Sequence, residues 1–356
     1  MGEVRAKKAL GQHFLVDLNI ARKICDALSG GVRPEAGAET RAVAAGSADA
    51  DAETRTRVAG YAGAGAEART MAAGSADAGA EARTKATGTA DADAETRRGV
   101  AASADARLAA DTTAAGAPAA AEEERGGAVP CDVLEVGCGM GVLTQFLLRR
   151  GDITTYGAEI DPESVEYLHA HFPEFAPRLI EGDFLKMNLR ERFPRGLKII
   201  GNFPYNISSQ IFFKVLEHRD LVPECVGMIQ KEVAVRIAEP PGSKEYGILS
   251  VLLQAWYDIE YLFTVNETVF NPPPKVKSAV IRLRRNSVGR LGCDEALFVK
   301  VVKASFGQRR KMIRNSLRTV FGDFGGAEHP FFTQRAEQLS VADFVQLTNW
   351  VAANRK

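Results

Sequence analysis

The sequence predicts a doubly wound α/β fold that carries a low-complexity insert near its N-terminus and an all-helical domain at its C-terminus. Three observations support this prediction. Short apolar runs alternate with helical patterns after residue 129, only helical patterns follow residue 294, and residues 33–127 lack core-forming side chains. Such apolar runs are typical of strands buried on both faces, and their alternation with helices predicts a parallel sheet covered by helices. We expect about seven strands, the last of them antiparallel.

The predicted elements follow from local periodicity. Residues Asn19–Leu28 carry an apolar stripe at helical spacing, with Asp17 as a candidate N-cap. Later strands are predicted at residues 133–136, 155–160, 178–180, 198–200 and 225–229, and helices at residues 143–150, 163–171, 209–217 and 231–238. Two more strands, at residues 259–265 and 279–284, are predicted on either side of three consecutive prolines.

Residues 33–127 repeat with a period of 14. A glycine recurs in register at positions 46, 60, 74 and 88, and a Glu precedes an Arg by two residues in five successive repeats. No Leu, Ile or Val recurs at a coiled-coil core position. The composition favours a disordered or transiently helical insert. Because the cost of closing a loop grows only with the logarithm of its length, we expect the fold to tolerate it.

The charge of the chain is unevenly distributed. The 45 basic and 45 acidic residues cancel, but residues 33–127 hold 11 basic and 16 acidic residues, so the remainder is mildly basic. Between Lys275 and Arg318 there are 13 Lys or Arg residues and two acids. This cluster favours a phosphate-rich partner such as RNA about as strongly as it favours an ordinary solvated surface.

The five cysteines are scattered and show no CxxC spacing. They argue against a zinc site or a disulfide framework and for a reducing compartment. No apolar run reaches the ~18 residues that a membrane span needs, and the N-terminus lacks the apolar region of a signal peptide. We therefore expect a cytoplasmic protein with no zinc site and no membrane partner. We also expect a monomer that needs no metal ion.

A glycine-rich segment joins the first strand of the α/β region to the next helix. It reads VLEVGCGMGVLT, residues 133–144, with glycines at 137, 139 and 141. Such glycines let the backbone turn tightly and approach a ligand, and the start of the helix offers unpaired N–H groups. The spacing G-x-G-x-G differs from the dinucleotide-binding G-x-G-x-x-G and favours S-adenosylmethionine. A turn without a ligand is the alternative.

Two acidic residues follow the next two strands. Glu159 ends the second strand, 18 residues after Gly141, and Asp183 follows the third. Open α/β sheets bind ligands at the carboxyl ends of their strands, where a carboxylate can accept hydrogen bonds from ribose hydroxyls or from an adenine amino group. Each acid alone could be an ordinary loop residue, but the ordered series predicts a nucleoside-containing cofactor.

The tetrapeptide Asn202-Phe203-Pro204-Tyr205 directly follows the fourth predicted strand. An aromatic amino group is a poor nucleophile because its lone pair is delocalised into the ring. The side-chain oxygen of Asn202 and the carbonyl of Pro204 can accept its two N–H bonds, and Tyr205 offers a flat face for an extruded base. A turn that Asn caps and Pro stiffens is the alternative. After the preceding motifs, the tetrapeptide predicts methylation of a base amino group.

Five segments resemble the successive signatures of the ribosomal RNA adenine dimethyltransferases of the KsgA/RsmA family: KKALGQHFL, EVGCGMGVLT, GNFPYNISSQIFF, VFNPPPKVKSAVIRL and SFGQRRKMIRNSL. Apart from the insert, the resemblance runs from Lys7 to the C-terminus. It implies a Rossmann-like class I methyltransferase sheet. It also implies S-adenosylmethionine-dependent N6,N6-dimethylation of two adjacent adenosines in the 3′-terminal hairpin of small-subunit (16S) rRNA during ribosome biogenesis.

The resemblance further implies the residues of the site. The cofactor-binding residues would be His13, Leu15, Gly137, Gly139, Glu159, Asp183 and Asn202. The catalytic residues would be Asn202, Pro204, Tyr205 and Phe270. Glu159 would hold the ribose, Asp183 the adenine, and Phe270 would stack on the target base opposite Tyr205. His13 stands where the family usually has Asn, and because both side chains can donate a hydrogen bond, we expect this contact to be tuned.

The basic segment Gln308–Asn315 is predicted to contact RNA phosphates. The contacting residues would be Arg309, Arg310, Lys311 and Arg314. On a continuous helix Arg310 and Arg314 share a face with Lys311, whereas Met312 and Ile313 point towards a core. A solvated helix is the alternative.

These inferences divide the chain into four parts. They are residues 1–32, a cofactor-covering segment and first helix; 33–128, the insert; 129–288, the methyltransferase domain; and 289–356, a helical rRNA-binding domain. Two other functions stay open. One is methylation of large-subunit rRNA by an enzyme of the antibiotic-resistance type, and the other is a role mainly in small-subunit assembly.

Overall fold

A seven-stranded sheet is the centre of the fold. The computed structural model describes Val4, Ala6, Lys7, residues 10–30 and residues 130–355. The predicted insert, residues 33–128, lies outside the described residues. The strands are β1 (Phe14–Leu15), β2 (Cys131–Val136), β3 (Ile153–Glu159), β4 (Leu179–Glu181), β5 (Lys198–Asn202), β6 (Glu224–Gln230), β7 (Tyr257–Val265), β8 (Phe270–Asn271) and β9 (Ser278–Arg285).

The strand order of the large sheet is β4-β3-β2-β5-β6-β9-β7, and β1 pairs with β8 in a separate two-stranded sheet. In the large sheet β9 runs antiparallel to both of its neighbours, and the other pairings are parallel. This confirms the predicted seven strands and the antiparallel last strand. The chain order reverses between β2 and β5, which is where doubly wound sheets bind their ligands.

The helices alternate with the strands as predicted. They are α1 (Leu18–Ala27), α2 (Thr144–Leu147), α3 (Pro162–His171), α4 (Leu189–Arg192), α5 (Ser208–Glu217), α6 (Lys231–Ala238), α7 (Ile248–Gln254), α8 (Glu295–Gly307), α9 (Ile313–Phe321) and α10 (Val341–Asn354). Asp17 caps α1 by accepting from the N–H groups of Asn19 and Ile20, as predicted. The helix after the glycine-rich segment is shorter than the predicted 143–150, mainly because a turn replaces its last residues after Leu147.

Both faces of the sheet are buried, which explains the continuous apolar runs. In β2, Leu134 and Val136 face one apolar cluster and Val133 faces another. Helix α5 contributes Ile211 to the first cluster, and α1 contributes Ile24 to the second. Successive strand residues point to opposite faces, so a strand covered on both sides needs apolar residues at every position.

The C-terminal helices share the apolar core of the sheet. Leu297 and Phe298 of α8 belong to the same cluster as Leu134, and the rings of Phe298 and Trp256 pack edge to face with centroids 6.0 Å apart. All described residues fall in one compact unit. The residues after 294 form helices joined by turns, and these helices pack against the same apolar cluster as the sheet.

No helix in the described ranges combines the length and apolar character that crossing a membrane requires.

Candidate active site

A cavity lies at the carboxyl ends of β2, β3, β4 and β5. The loops after these strands line it together with the N-terminal segment Leu10–Phe14. Eight residues predicted from the sequence take part in the lining: His13, Gly137, Gly139, Glu159, Asp183, Asn202, Pro204 and Tyr205. The fold therefore brings the successive motifs together beside the point where the strand order reverses.

The glycine-rich loop after β2 is tied to the end of β3. Gly137 and Gly139 have φ values of 75° and 52°, a left-handed conformation that favours glycine. The N–H of Gly137 donates to the carbonyl of Ala158 at 2.9 Å, and the N–H of Gly139 donates to Oε2 of Glu159 at 2.8 Å. A side chain at position 139 would also meet the Phe14 ring at 3.1 Å. The loop is thus held close to the N-terminal segment and to the acid at the cavity.

Glu159 is 4% exposed, and most of its acceptor sites are already used. Oε1 accepts from the N–H groups of Ile160 and Asp161, each at 2.9 Å, and Oε2 accepts from Gly139. Burial raises the pKa of the carboxyl, and the three backbone donors act against that rise. A carboxylate has about four lone-pair sites, so about one is left for a ligand rather than the pair that two ribose hydroxyls would need.

Asp183 lies after β4, and the buried side chain of Lys214 donates hydrogen bonds to the backbone that follows it. Oδ1 of Asp183 accepts from the N–H of Leu185 at 2.9 Å. The ammonium of Lys214 donates to the carbonyls of Leu185 and Met187 at 2.9 and 2.7 Å. Oδ2 of Asp183 has Lys186 as a distant neighbour at 4.0 Å and stays available to a ligand. Sequence patterns did not reveal Lys214, because lysines are rarely buried.

Asn202 ends β5, and one hydrogen bond orients its side-chain amide. Nδ2 donates to the carbonyl of His13 at 2.9 Å. Because a carbonyl can only accept, this bond assigns the amide nitrogen and turns Oδ1 into an acceptor with no partner among the described residues. The carbonyl of Pro204 accepts from the N–H of Ile207 at 3.1 Å and keeps a second lone pair.

Tyr205 is anchored at its hydroxyl and faces His13. The hydroxyl forms a short hydrogen bond with Oγ of the fully buried Ser278, and the His13 and Tyr205 ring centroids are 5.4 Å apart. Burial raises the pKa of the Tyr205 phenol, against the effect of Ser278, so the phenol is neutral. Nδ1 of His13 lies 2.9 Å from the carbonyl oxygen of Pro272. That carbonyl needs a donor, so Nδ1 carries the proton.

Leu15 and Phe270 are placed differently from the prediction. They are 2% and 4% exposed and pair with each other across β1 and β8. Both belong to the apolar cluster that contains Ile24 and Val280, and neither lines the cavity. Burial of two large apolar side chains is favourable, and in this structure it fastens the N-terminal segment to the sheet instead of presenting Leu15 to a cofactor or Phe270 to a base.

The segment Gln308–Met312 is a turn between α8 and α9, not part of a continuous helix. The prediction that Arg310 and Arg314 share a helical face is therefore wrong. Ile313 is fully buried as predicted, whereas Met312 is 51% exposed and does not point into the core. The N–H of Ile313, the first residue of α9, donates to the carbonyl of Gln334 at 2.8 Å.

The four basic residues of this segment differ in what they contact. Arg309 donates to two backbone carbonyls before α7, and Arg314 pairs with Glu328. Arg310 and Lys311 are exposed and form no ion pair with any residue that the structure describes. The two central residues are thus free for an external phosphate, while the outer two stabilise the fold.

A buried carboxyl lies behind the glycine-rich loop. Glu135 in β2 is 1% exposed and accepts from Oγ1 of Thr144 at 2.6 Å. Burial raises the pKa of Glu135 to about 8, although the Thr144 hydroxyl opposes the rise. The carboxyl is therefore largely protonated at neutral pH and links β2 to the start of α2.

Besides Lys214, four residues in or beside the cavity were not predicted from the sequence: Lys7, Gln12, Asp161 and Ser278. Lys7 and Gln12 reach Asp161 across more than 140 residues of sequence. Two of them had a visible neighbour in the sequence: Asp161 follows Glu159 by two residues, and Ser278 lies within the motif that contains the three prolines. Neither residue type predicts such a partner from local sequence.

Comparisons with known proteins identify the relatives of this chain. A family model described as ribosomal RNA adenine dimethylase matches residues 130–353. A relative in Parabacteroides distasonis, named ribosomal RNA small subunit methyltransferase A, is 61% identical over 218 residues, covering 61% of this chain and 81% of the relative. A relative of the same name in Bacteroides thetaiotaomicron is 60% identical over 221 residues, covering 62% and 82%.

A solved structure resembles the fold as well. The crystal structure of a dimethyladenosine transferase from Plasmodium falciparum has a TM-score of 0.52 and 26% identity, and the match covers 63% of this chain and 90% of that chain. The likeness confirms the predicted doubly wound α/β methyltransferase fold.

Proposed function

Because the chain belongs to the ribosomal RNA adenine dimethylase family, we propose that it dimethylates adenine N6 in small-subunit rRNA with S-adenosylmethionine as methyl donor. The expected products are N6,N6-dimethyladenosines at two adjacent positions in the 3′-terminal hairpin of 16S rRNA, formed during ribosome biogenesis. The small-subunit names of relatives that are 61% and 60% identical favour this target over large-subunit rRNA.

One observation carries the proposed chemistry: Asn202 presents a free acceptor in the same cavity as the Tyr205 ring. A target adenine stacked on Tyr205 offers its N6 amino group to Oδ1 of Asn202 and to the second lone pair of the Pro204 carbonyl. Accepting both N–H bonds localises the nitrogen lone pair and directs it towards the methyl group. The proton is lost to solvent afterwards, so no side chain has to act as a general base.

The residues at the other end of the cavity suit a nucleoside. Glu159 keeps about one acceptor site for a ribose hydroxyl, and Asp183 keeps Oδ2 for an adenine amino group. Ile160 is 50% exposed and lines the cavity with Phe184, so both offer apolar contact to a base. When bound, the cofactor supplies an electrophilic methyl group. Gly137, Glu159 and Asp183 bind and orient it, and Asn202 orients the acceptor.

We assign the first RNA contacts of the C-terminal helices to Arg310 and Lys311, because their charges are not engaged by the fold. Arg309 and Arg314 add to the local positive field while holding backbone carbonyls and Glu328. The proposed partner is the immature small ribosomal subunit, which the protein meets as a monomer in the cytoplasm.

Primer extension on rRNA from a strain that lacks the gene tests the proposal. Dimethylation of N6 blocks base pairing, so the parent strain should show reverse-transcriptase stops at two adjacent adenosines near the 3′ end of the small-subunit rRNA. The stops should vanish in the deletion strain, return with the full-length gene, and stay absent with the Asn202→Ala gene. Loss of a stop in large-subunit rRNA instead would indicate the antibiotic-resistance type of enzyme. Unchanged stops would refute the proposal.

A further inference from the structure

Lys7 and Gln12, in the N-terminal segment that continues to Phe14, form hydrogen bonds to a buried carboxylate beside the cavity. The side chain of Asp161 is fully buried and accepts from the ammonium of Lys7, from Nε2 of Gln12 at 3.3 Å and from Oγ of Ser164 at 3.1 Å. Lys7 also lies 3.1 Å from Oε1 of Glu163. Two of the three donors to Asp161 thus come from the N-terminal segment.

Asp161 is the N-cap residue of α3, yet its side chain does not cap that helix. An Asp at this position ordinarily accepts from the N–H of the second or third helical residue. Here the carboxylate forgoes that bond and is directed at Lys7 and Gln12 instead. This orientation indicates that holding the N-terminal segment is the main use of the side chain.

Two further hydrogen bonds connect Lys7 to the described residues that follow it. Oε1 of Gln12 accepts from the N–H of Lys7 at 2.8 Å, and the N–H of Leu10 donates to the carbonyl of Lys7 at 3.0 Å. The next residue, His13, lines the cavity, and its carbonyl receives the Asn202 amide. The segment is therefore held at Asp161 on one side of the cavity and at Asn202 on the other.

The two attachments differ in strength. The Asn202 side is continued by the buried pair Leu15 and Phe270. At the other end Val4 is the nearest buried apolar residue among those described along the chain, and the side chain of Lys7 is 36% exposed. An attachment with little buried apolar area opens more readily than one inside the core. Lys7 and Gln12 should therefore release first when the segment lifts.

Asp161 also contacts Glu159, the acid proposed to bind the cofactor. The backbone N–H of Asp161 donates to Oε1 of Glu159 at 2.9 Å, so one residue contacts both the N-terminal segment and Glu159. Burial alone would raise the pKa of the Asp161 carboxyl, but the hydrogen bonds from Lys7, Gln12 and Ser164 hold it below its ordinary value. The carboxylate is thus charged throughout the neutral pH range.

We propose that Asp161 is a positioning residue that holds the N-terminal segment across the bound cofactor, and that its ion pair with Lys7 sets how fast the demethylated cofactor leaves. This inference rests on the proposed function, since it takes the cavity to be the S-adenosylmethionine site. Each methyl transfer requires exchange of the cofactor, so the segment must lift once in every cycle. The ion pair between the partly exposed Lys7 and the buried Asp161 is the contact that breaks in that step.

Stopped-flow displacement of S-adenosylhomocysteine from the full-length protein tests the inference. Lys7→Met and Asp161→Asn should each speed dissociation about five- to tenfold, in line with loss of a hydrogen bond to a charged group. The double variant should be slower than the product of the two single effects would give, because the Lys7–Asp161 ion pair is lost in all three variants. Lys7→Arg should stay within about twofold of the wild type.

Lys23→Met is the matched control, since Lys23 is exposed on α1 and lies outside the cavity lining. It removes the same charge and should leave dissociation unchanged. Added salt should speed dissociation from the wild type and have a smaller effect on Lys7→Met, because screening weakens an ion pair that the variant lacks. In steady-state assays Lys7→Met should raise KM for S-adenosylmethionine while kcat stays within about twofold, which general unfolding would not produce.

Normal wild-type binding with unchanged dissociation from Lys7→Met would overturn this inference and leave the proposed function intact. Additive effects in the double variant would also overturn it, because the two residues would then act separately. Failure of the wild-type protein to bind S-adenosylhomocysteine at all would overturn the proposed function together with this inference. Lys7 is outside the apolar core, so its variant separates the outcomes even where Asp161→Asn impairs folding.

Discussion

The two ends of the cavity use their polar atoms differently. At the Glu159 end, three backbone N–H groups already bind the carboxylate. At the Asn202 end, Nδ2 is engaged by His13, and Oδ1 has no partner among the described residues. Oδ1 of Asn202 is not one of the fully buried unpartnered atoms, so it stays open to the cavity and can accept from a ligand without breaking a hydrogen bond of the protein. The hydrogen bonds at the Glu159 end are therefore already formed without a ligand. At the Asn202 end, by our proposal, Oδ1 forms its hydrogen bond only when the target amino group binds.

Removing the side chain of Asn202 should reduce methyl transfer more than any other substitution considered. Asn202→Ala leaves the glycine-rich loop and Glu159 in place, but the amino group loses the acceptor that orients it. We expect methyl transfer to fall by at least ~10²-fold, the scale for losing one preorganised polar group. Tritium incorporation into immature small subunits measures it, and isothermal titration with S-adenosylhomocysteine checks that the variant still binds the cofactor product. Near-normal incorporation would contradict the assignment.

Substitution of Glu159 should weaken cofactor binding rather than slow turnover. Glu159→Gln keeps the shape, but an amide nitrogen would face the N–H of either Gly139 or Ile160 and Asp161. A buried donor opposite a donor is unsatisfied, so we expect S-adenosylhomocysteine to bind about 10- to 50-fold more weakly. Isothermal titration measures the change. A variant with normal affinity and impaired turnover would reverse the distinction between the two ends.

The anchor of Tyr205 should make a smaller contribution. Ser278→Ala and Tyr205→Phe each remove the same hydrogen bond and keep an aromatic ring for stacking. We expect each to raise KM for the small subunit about three- to fivefold, and the double variant to do no more. Steady-state kinetics with subunits as the varied substrate measure this. Additive effects would show that the two hydroxyls do not act through one bond.

The buried Glu135 should change stability with pH and leave chemistry almost untouched. Its pKa of about 8 in the folded protein lies above its ordinary value of 4.5. Stability from the protonated form is thus fully present below the unfolded value and is lost as pH rises through the folded one. Glu135→Gln carries no proton to lose, so its Tm should vary less between pH 6 and pH 9.

Thermal unfolding in matched buffers measures this difference. At the alkaline end the variant should unfold several °C above the wild type, because only the wild type then buries a charge. Parallel pH curves for the two proteins would show that the carboxyl does not titrate in this range.

The sequence predicted the parts of the fold that depend on local patterns. Apolar runs located the strands, and the residues at their ends located Glu159, Asp183 and Asn202 at the cavity. The order of the strands along the sheet was not predicted, because it depends on pairings between strands that are distant in sequence. Phe270 was misplaced because its motif does not reveal whether an aromatic ring is packed in the core or exposed.

Long-range contacts escaped prediction for a physical reason. The ion pair between Lys7 and Asp161 joins residues 154 positions apart, and nothing in either local sequence specifies the partner. The turn at Gln308–Met312 was missed for the same reason, since Arg309 and Ile313 bond backbone groups in distant loops. Helical periodicity predicts a helix only where tertiary hydrogen bonds do not interrupt it.

Mass spectrometry of nucleosides from a reconstituted reaction tests the central claim most directly. The full-length protein, S-adenosylmethionine and small subunits from a strain lacking the gene are incubated, and the rRNA is digested. The account predicts N6,N6-dimethyladenosine from two adjacent positions near the 3′ end, with none formed by Asn202→Ala. Methylation only of large-subunit rRNA, or of a ring carbon instead of the N6 amino group, would contradict it.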